Sequence, residues 1–160
     1  AIIYFEQIED EKKDLKPLID ANNKIDFFLS EYPNSDYAID LKFKKDLILN
    51  QLAAKELFVA KYYISTQKWV PAINRLKVIV NEYDKTIFIE EALHRLVETY
   101  YHLGLEGEAK KYAKILGYNY NSSEWFEQSY KIFNTKYNIR KKENLKKEKS
   151  FFKKIIEMIK

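Results

Sequence analysis

Apolar side chains recur along this chain at three- and four-residue intervals, the period of an α-helix, in stretches broken by short polar clusters. Ile73, Leu76, Val80 and Tyr83 form one such stripe, spaced i, i+3, i+7 and i+10. Ile89, Leu93, Leu96, Tyr100 and Leu103 form a second, and Ala109, Tyr112 and Leu116 a third. Upstream, Leu52, Val59, Tyr63 and Ile64 line a helix that stops near Thr66-Gln67-Lys68. Leu15 to Tyr32 reads as an earlier helix, with Pro17 suited to its first turn and Tyr32-Pro33-Asn34-Ser35 as its stop. Another helix begins at Asp36 and either ends near Asn50 or runs on into the helix over 52–66. Gly104 supplies the left-handed position that closes a helix, and Gly117 is expected to end the next one. Ser122 or Ser123 can cap a last helix from Glu124 to about Tyr137.

These helices repeat. Tyr63 aligns with Tyr100, and Ala72 with Ala109, at the same offset of 37 residues. Each block reads as helix, tight turn, helix. The small Ala72 and Ala109 stand where two antiparallel helices cross most closely, so a larger side chain there would push the pair apart. The period exceeds the about 34 residues of the common tetratricopeptide repeat, and Asp84 stands where a proline often ends the unit. The pattern still predicts an all-α, tetratricopeptide-like solenoid of antiparallel helical hairpins. Its expected organisation is a partial unit over about 1–33, units over 36–83 and 87–118, a final helix over 122–137, and a basic amphipathic C-terminal helix over 138–160.

Composition agrees with this architecture. Three glycines and three prolines in 160 residues are too few for the turns of a sandwich or barrel. With no cysteine there is no disulfide framework, thiolate metal site or cysteine nucleophile. No uncharged apolar run approaches the about 18 residues of a membrane span. The chain opens Ala1-Ile2-Ile3-Tyr4 without a methionine and reads as a mature or trimmed piece of a longer protein. The formal charge is +4, but residues 140–160 alone carry nine Lys/Arg against three Glu, a net of +6. The body is therefore slightly acidic, at −2. Nucleic acid is not an expected partner, because a nucleic-acid-binding body would carry a basic face of its own.

The residue types that carry catalysis are thinly spread. His94 and His102 are the only imidazoles, eight residues apart and so about 12 Å apart along one helix, too far to share a metal. Glu9-Asp10-Glu11 and Glu90-Glu91 read as solvated faces, and Ser122-Ser123 as a cap with no base beside it. No glycine-rich phosphate loop is present. No cofactor, metal or catalytic site is expected. What remains is surface for proteins, since stacked hairpins generally act by holding partners. Lys68-Trp69-Val70-Pro71 is one candidate surface, although Trp69 equally suits packing between hairpins. Arg75 lies two residues from Ile73, off the apolar stripe, where its guanidinium could grip a carboxylate.

Several segments together resemble the BamD lipoprotein family: Tyr32-Pro33-Asn34-Ser35-Asp36-Tyr37-Ala38, Asn50-Gln51-Leu52-Ala53-Ala54-Lys55-Glu56-Leu57 and Trp69-Val70-Pro71-Ala72-Ile73-Asn74-Arg75. Glu91-Ala92-Leu93-His94-Arg95-Leu96-Val97-Glu98, Glu108-Ala109-Lys110-Lys111-Tyr112-Ala113, Leu116-Gly117-Tyr118-Asn119-Tyr120 and Ser123-Glu124-Trp125 follow in the same order. The resemblance covers roughly residues 1–137 and looks like the C-terminal half of such a protein. It implies a non-enzymatic scaffold subunit of the outer-membrane β-barrel assembly machinery. Such a subunit sits on the periplasmic side of the outer membrane, held by a lipid anchor outside this sequence. It implies binding to the POTRA domains of the barrel subunit BamA, contacts with other assembly subunits, and capture of unfolded outer-membrane proteins through missing N-terminal repeats. By the motif from Trp69 to Arg75, the partner-gripping arginine falls on Arg75, with Asn74, Lys68 and Trp69 as neighbouring contacts. The other reading is a generic tetratricopeptide module gripping an extended peptide.

The tail keeps three readings. Leu145, Phe152, Ile156 and Ile159 share one side of a helix with lysines opposite. That helix could cap the repeat stack, dock on a neighbouring subunit, or lie on anionic lipid.

Overall fold

The apolar stripes fold as six helices in a computed structural model that describes residues 15–134. They are α1 (Lys16–Glu31), α2 (Ala38–Ser65), α3 (Trp69–Glu82), α4 (Ile89–His102), α5 (Glu106–Asn119) and α6 (Glu124–Phe133). No strand occurs among the described residues. The fold is all-α, built of packed helical hairpins. The basic tail over 138–160 lies outside the described residues, as does the start of the partial first unit.

The 37-residue period holds to the residue. α3 and α5 span Trp69–Glu82 and Glu106–Asn119, so both ends are displaced by 37 positions. The turn before each is the same as well. Gln67 and Gly104 both take left-handed backbone, at φ 57° and 75°. The amide of the residue after each donates to the carbonyl five residues back: Lys68 N to Tyr63 O at 2.8 Å, Leu105 N to Tyr100 O at 2.9 Å. This six-to-one bond closes a Schellman motif and satisfies carbonyls the helix end would otherwise orphan. At the other corner, Tyr32, Tyr83 and Tyr120 each end a helix, and three residues later Ser35, Thr86 and Ser123 donate their amides to those tyrosine carbonyls. The two tyrosines closing α1 and α3 are 51 residues apart rather than 37, because α2 is a single helix of 28 residues, twice the length of α4. Asp36 to Asn50 and 52–66 are therefore one element, about 42 Å long.

Consecutive helices pack in order, and α6 returns to lie on both α4 and α5. Burial divides into two cores. Leu18, Ala21, Ile25, Leu41, Ile48 and Leu52 join α1 to the first half of α2. The larger core runs from Ala53 to Leu116 across α2–α5, and Tyr83 packs against both. Ala72 and Ala109 are wholly buried, as close crossing requires.

Some positions differ from expectation. Leu103 lies half-exposed past the end of α4, and near the end of α3 Ile79 is fully buried whereas Val80 is only partly so. Gly117 does not end α5, which runs two residues further. It lies inside the helix, where a Cβ would stand 2.7 Å from Cε2 of Phe126, so it admits the α6 ring. The last helix ends at Phe133 rather than near Tyr137.

Candidate functional site

Arg75 lies on the outer face of α3, where the 37-residue hairpin brings α2 alongside. Its Nη1 donates to both oxygens of Glu56, each at 3.2 Å, and the arginine side chain remains 46% exposed. The pair joins the two helices of one hairpin at near-equal distances from the turn around Thr66. Arg75 and Asn74 line a shallow hollow of about 370 Å³ with Tyr63, Pro71 and Val78. Glu56 engages only Nη1 of the guanidinium, and the half-exposed side chain contributes to the lining of this hollow.

The four candidate residues do not form one patch. Asn74 and Arg75 share the hollow. Trp69 packs instead against His102 at the end of α4, with ring centroids 4.5 Å apart and the planes tilted by 50°. It is half-buried and helps fasten α3 to α4. Lys68 is exposed at the N-cap of α3, where its carbonyl accepts from the Ala72 amide at 3.2 Å.

A second polar cluster joins α4 to α6, one that no spacing along the chain signals. His94 is buried, and its Nδ1 lies 2.8 Å from the hydroxyl of fully buried Ser129. Its Nε2 lies 3.4 Å from Glu98, too long for a well-formed hydrogen bond. Arg95 makes the shorter contact to Glu98, 2.8 Å, also binds Glu91, and lies over the Trp125 ring at 5.6 Å. His94 and then Arg95 hold the Glu98 carboxylate down at about 2. Lys61 on α2 reaches Glu91 at 2.7 Å, so the network ties three helices together. The serine, imidazole and carboxylate line up like a hydrolytic triad. However, Ser129 is fully buried in the middle of α6, where the amides around it are committed to intrahelical bonds and leave no oxyanion donors beside it. The cluster is a fastener.

Two further polar residues hold corners. Ser123 caps α6, its hydroxyl accepting from the Phe126 amide at 3.1 Å, as expected. Asn50, midway along α2, accepts from the Ile87 amide at 3.0 Å and supports the α3–α4 corner. No helix among the described residues is long and apolar enough to cross a membrane. No three metal-ligating side chains gather among those residues either.

Comparison with known proteins fits these observations. Residues 1–116 match the family YfiO, described as an outer membrane lipoprotein. The chain belongs to this family, to which BamD proteins are assigned. It is 37% identical over 132 residues to the outer membrane protein assembly factor BamD of Rickettsia prowazekii, covering 82% of this chain and 53% of the relative. The Caulobacter vibrioides protein of the same name is 37% identical over 134 residues, 84% of this chain and 44% of the relative. That of Vibrio cholerae is 29% identical over 112 residues, 70% and 46% respectively. The chain thus spans about half the length of these BamD relatives.

Proposed function

We propose that this chain is part of a non-enzymatic scaffold subunit of the outer-membrane β-barrel assembly machinery, and that it binds the POTRA domains of BamA. The relatives are named assembly factors, and the family is described as an outer membrane lipoprotein. The subunit would stand on the periplasmic side of the membrane, held by a lipid anchor. Unfolded barrel proteins would meet other repeats of the full-length protein.

The observation that carries the contact is the setting of Arg75, half-exposed, paired with Glu56 and lining a hollow with Asn74. A POTRA carboxylate would complete the guanidinium's open edge. Such charge-assisted contacts are stronger than neutral ones and fix register. Lys68 adds positive charge at the N-cap of α3, and Trp69 helps to fix the start of that helix against His102.

Titration of isolated BamA POTRA domains against wild type and Arg75→Glu tests this. The variant should bind more weakly by more than about 1.5 kcal/mol, over tenfold, with unchanged helical content. Unchanged affinity would overturn the assignment of Arg75. Binding of unfolded barrel-protein peptides with no POTRA binding would favour the generic peptide-binding reading instead.

A further inference from the structure

We propose that the C-terminal segment of this same chain, residues 141–160, folds back as an amphipathic helix into the apolar groove between α5 and α6. The groove encloses about 910 Å³, and Ala113, Ile115, Tyr118, Phe126, Tyr130 and Phe133 make its walls. It lies at the end of the described stack, beside its last helix. Terminal repeats of a solenoid leave an apolar face that needs a cover. Tyr118, on the wall, is 90% exposed without one.

Three features single out this occupant. The chain leaves α6 at Phe133, itself a wall residue, so the following segment starts at the groove. Leu145, Phe152, Ile156 and Ile159 fall on one helical face over about 21 Å, the length of the 14-residue α5 they would lie along. The charges also fit. Lys147 and Lys154 fall opposite that apolar face with Lys146 and Lys153 beside it, and an adjoining hollow of about 560 Å³, which shares Phe126 and Tyr130 with the groove, is lined by Glu124 and Glu127. Lys110 and Lys114 at the groove itself would repel a lysine face turned inward and so favour the apolar side.

The chain has no cysteine, so introduced thiols report alone. Ala113→Cys is paired in the full chain with Leu145→Cys or with Ile159→Cys, and oxidised at micromolar concentration. An intramolecular disulfide is expected for at least one pair, and none for Lys68→Cys with Ile159→Cys. In parallel, Phe152→Ser with Ile156→Ser, in the otherwise native chain, should speed amide exchange across 113–119 and 126–133 by at least tenfold. Disulfides that form only between chains would overturn the proposal in favour of a second copy. Unchanged exchange in the double variant would also overturn it. If that variant lost binding to phosphatidylglycerol vesicles at the same time, the tail would be a lipid-binding element instead.

Discussion

Gly104 and Gly107 are three residues apart, yet alanine at the two should move stability in opposite directions. Gly104 closes α4 at φ 75°, and nothing lies within 4 Å of where a Cβ would stand. The cost of alanine there is conformational only, about 1 kcal/mol for left-handed backbone in an L-residue. Gly107 is the second residue of α5, with helical backbone and equally open space, so alanine gains about 0.5–1 kcal/mol of helix propensity. The two variants should therefore differ by about 1.5–2 kcal/mol. For a chain of this size each kcal/mol moves the midpoint by about 2–4 °C, which separates them by about 3–8 °C. Position 67 supplies the control. Gln67 holds the corresponding left-handed site one repeat earlier at φ 57°. Gln67→Ala exchanges one strained L-residue for another, so it should stay within about 0.5 kcal/mol of wild type. Urea and thermal unfolding followed by far-UV circular dichroism would measure all three. If Gly104→Ala proved as stable as Gly107→Ala, the turn would not need a left-handed residue and the repeat geometry would be wrong.

Two further outcomes follow from the α4–α6 cluster. Glu98 titrates at about 2, against an ordinary 4.5, so its stabilisation is fully present above about pH 4.5 and is lost as pH falls through 2. Glu98→Gln should cost on the order of 1 kcal/mol at neutral pH, because a side chain 43% exposed is substantially screened, and should flatten the acid limb of stability. Equal acid sensitivity in both proteins would refute this. Ser129→Ala removes the partner of buried His94 Nδ1 and should cost about 1–3 kcal/mol. Chemical denaturation with no loss of midpoint would show that the hydroxyl is not needed there.

Most of the fold was legible because periodicity and repetition are local signals. Ala72 and Ala109 were readable as crossing points, and Gly104 as a left-handed turn residue, from spacing alone. Gly117 misled because a glycine near a helix end resembles a stop, whereas its reason lies nine residues away in the ring of Phe126. Gln67 carried no compositional mark of its left-handed backbone. Only superposing its turn on that of Gly104 would have exposed it. His94 and Ser129 are 35 residues apart on non-adjacent helices, and no pattern within either helix links them. The Glu56–Arg75 pair was open to inference, since facing helices bring together residues equidistant from their turn, here around Thr66. The separation of Trp69 from Arg75 also follows from helix geometry, six residues placing them about 120° apart around α3.

The setting of Arg75 explains how a helical bracket could select a partner without any catalytic group. α3 is held from inside by Ala72, Leu76 and Ile79, all wholly buried, and by Ile73. Trp69 on His102 fixes its start, and Tyr83 joins its end to both cores. The backbone beneath Arg75 therefore has little freedom to adjust, and Glu56 narrows the rotamers of the side chain itself. An exposed arginine ordinarily loses much of its rotamer entropy when it binds. Here folding has already removed part of it, so a POTRA carboxylate placed at the open edge would retain more of the contact's energy. The same arrangement limits which partners fit. A second carboxylate must approach beside Glu56, whose like charge repels any acid that does not reach the guanidinium. In the proposed complex, discrimination would come from a rigid helix pair presenting one oriented cation.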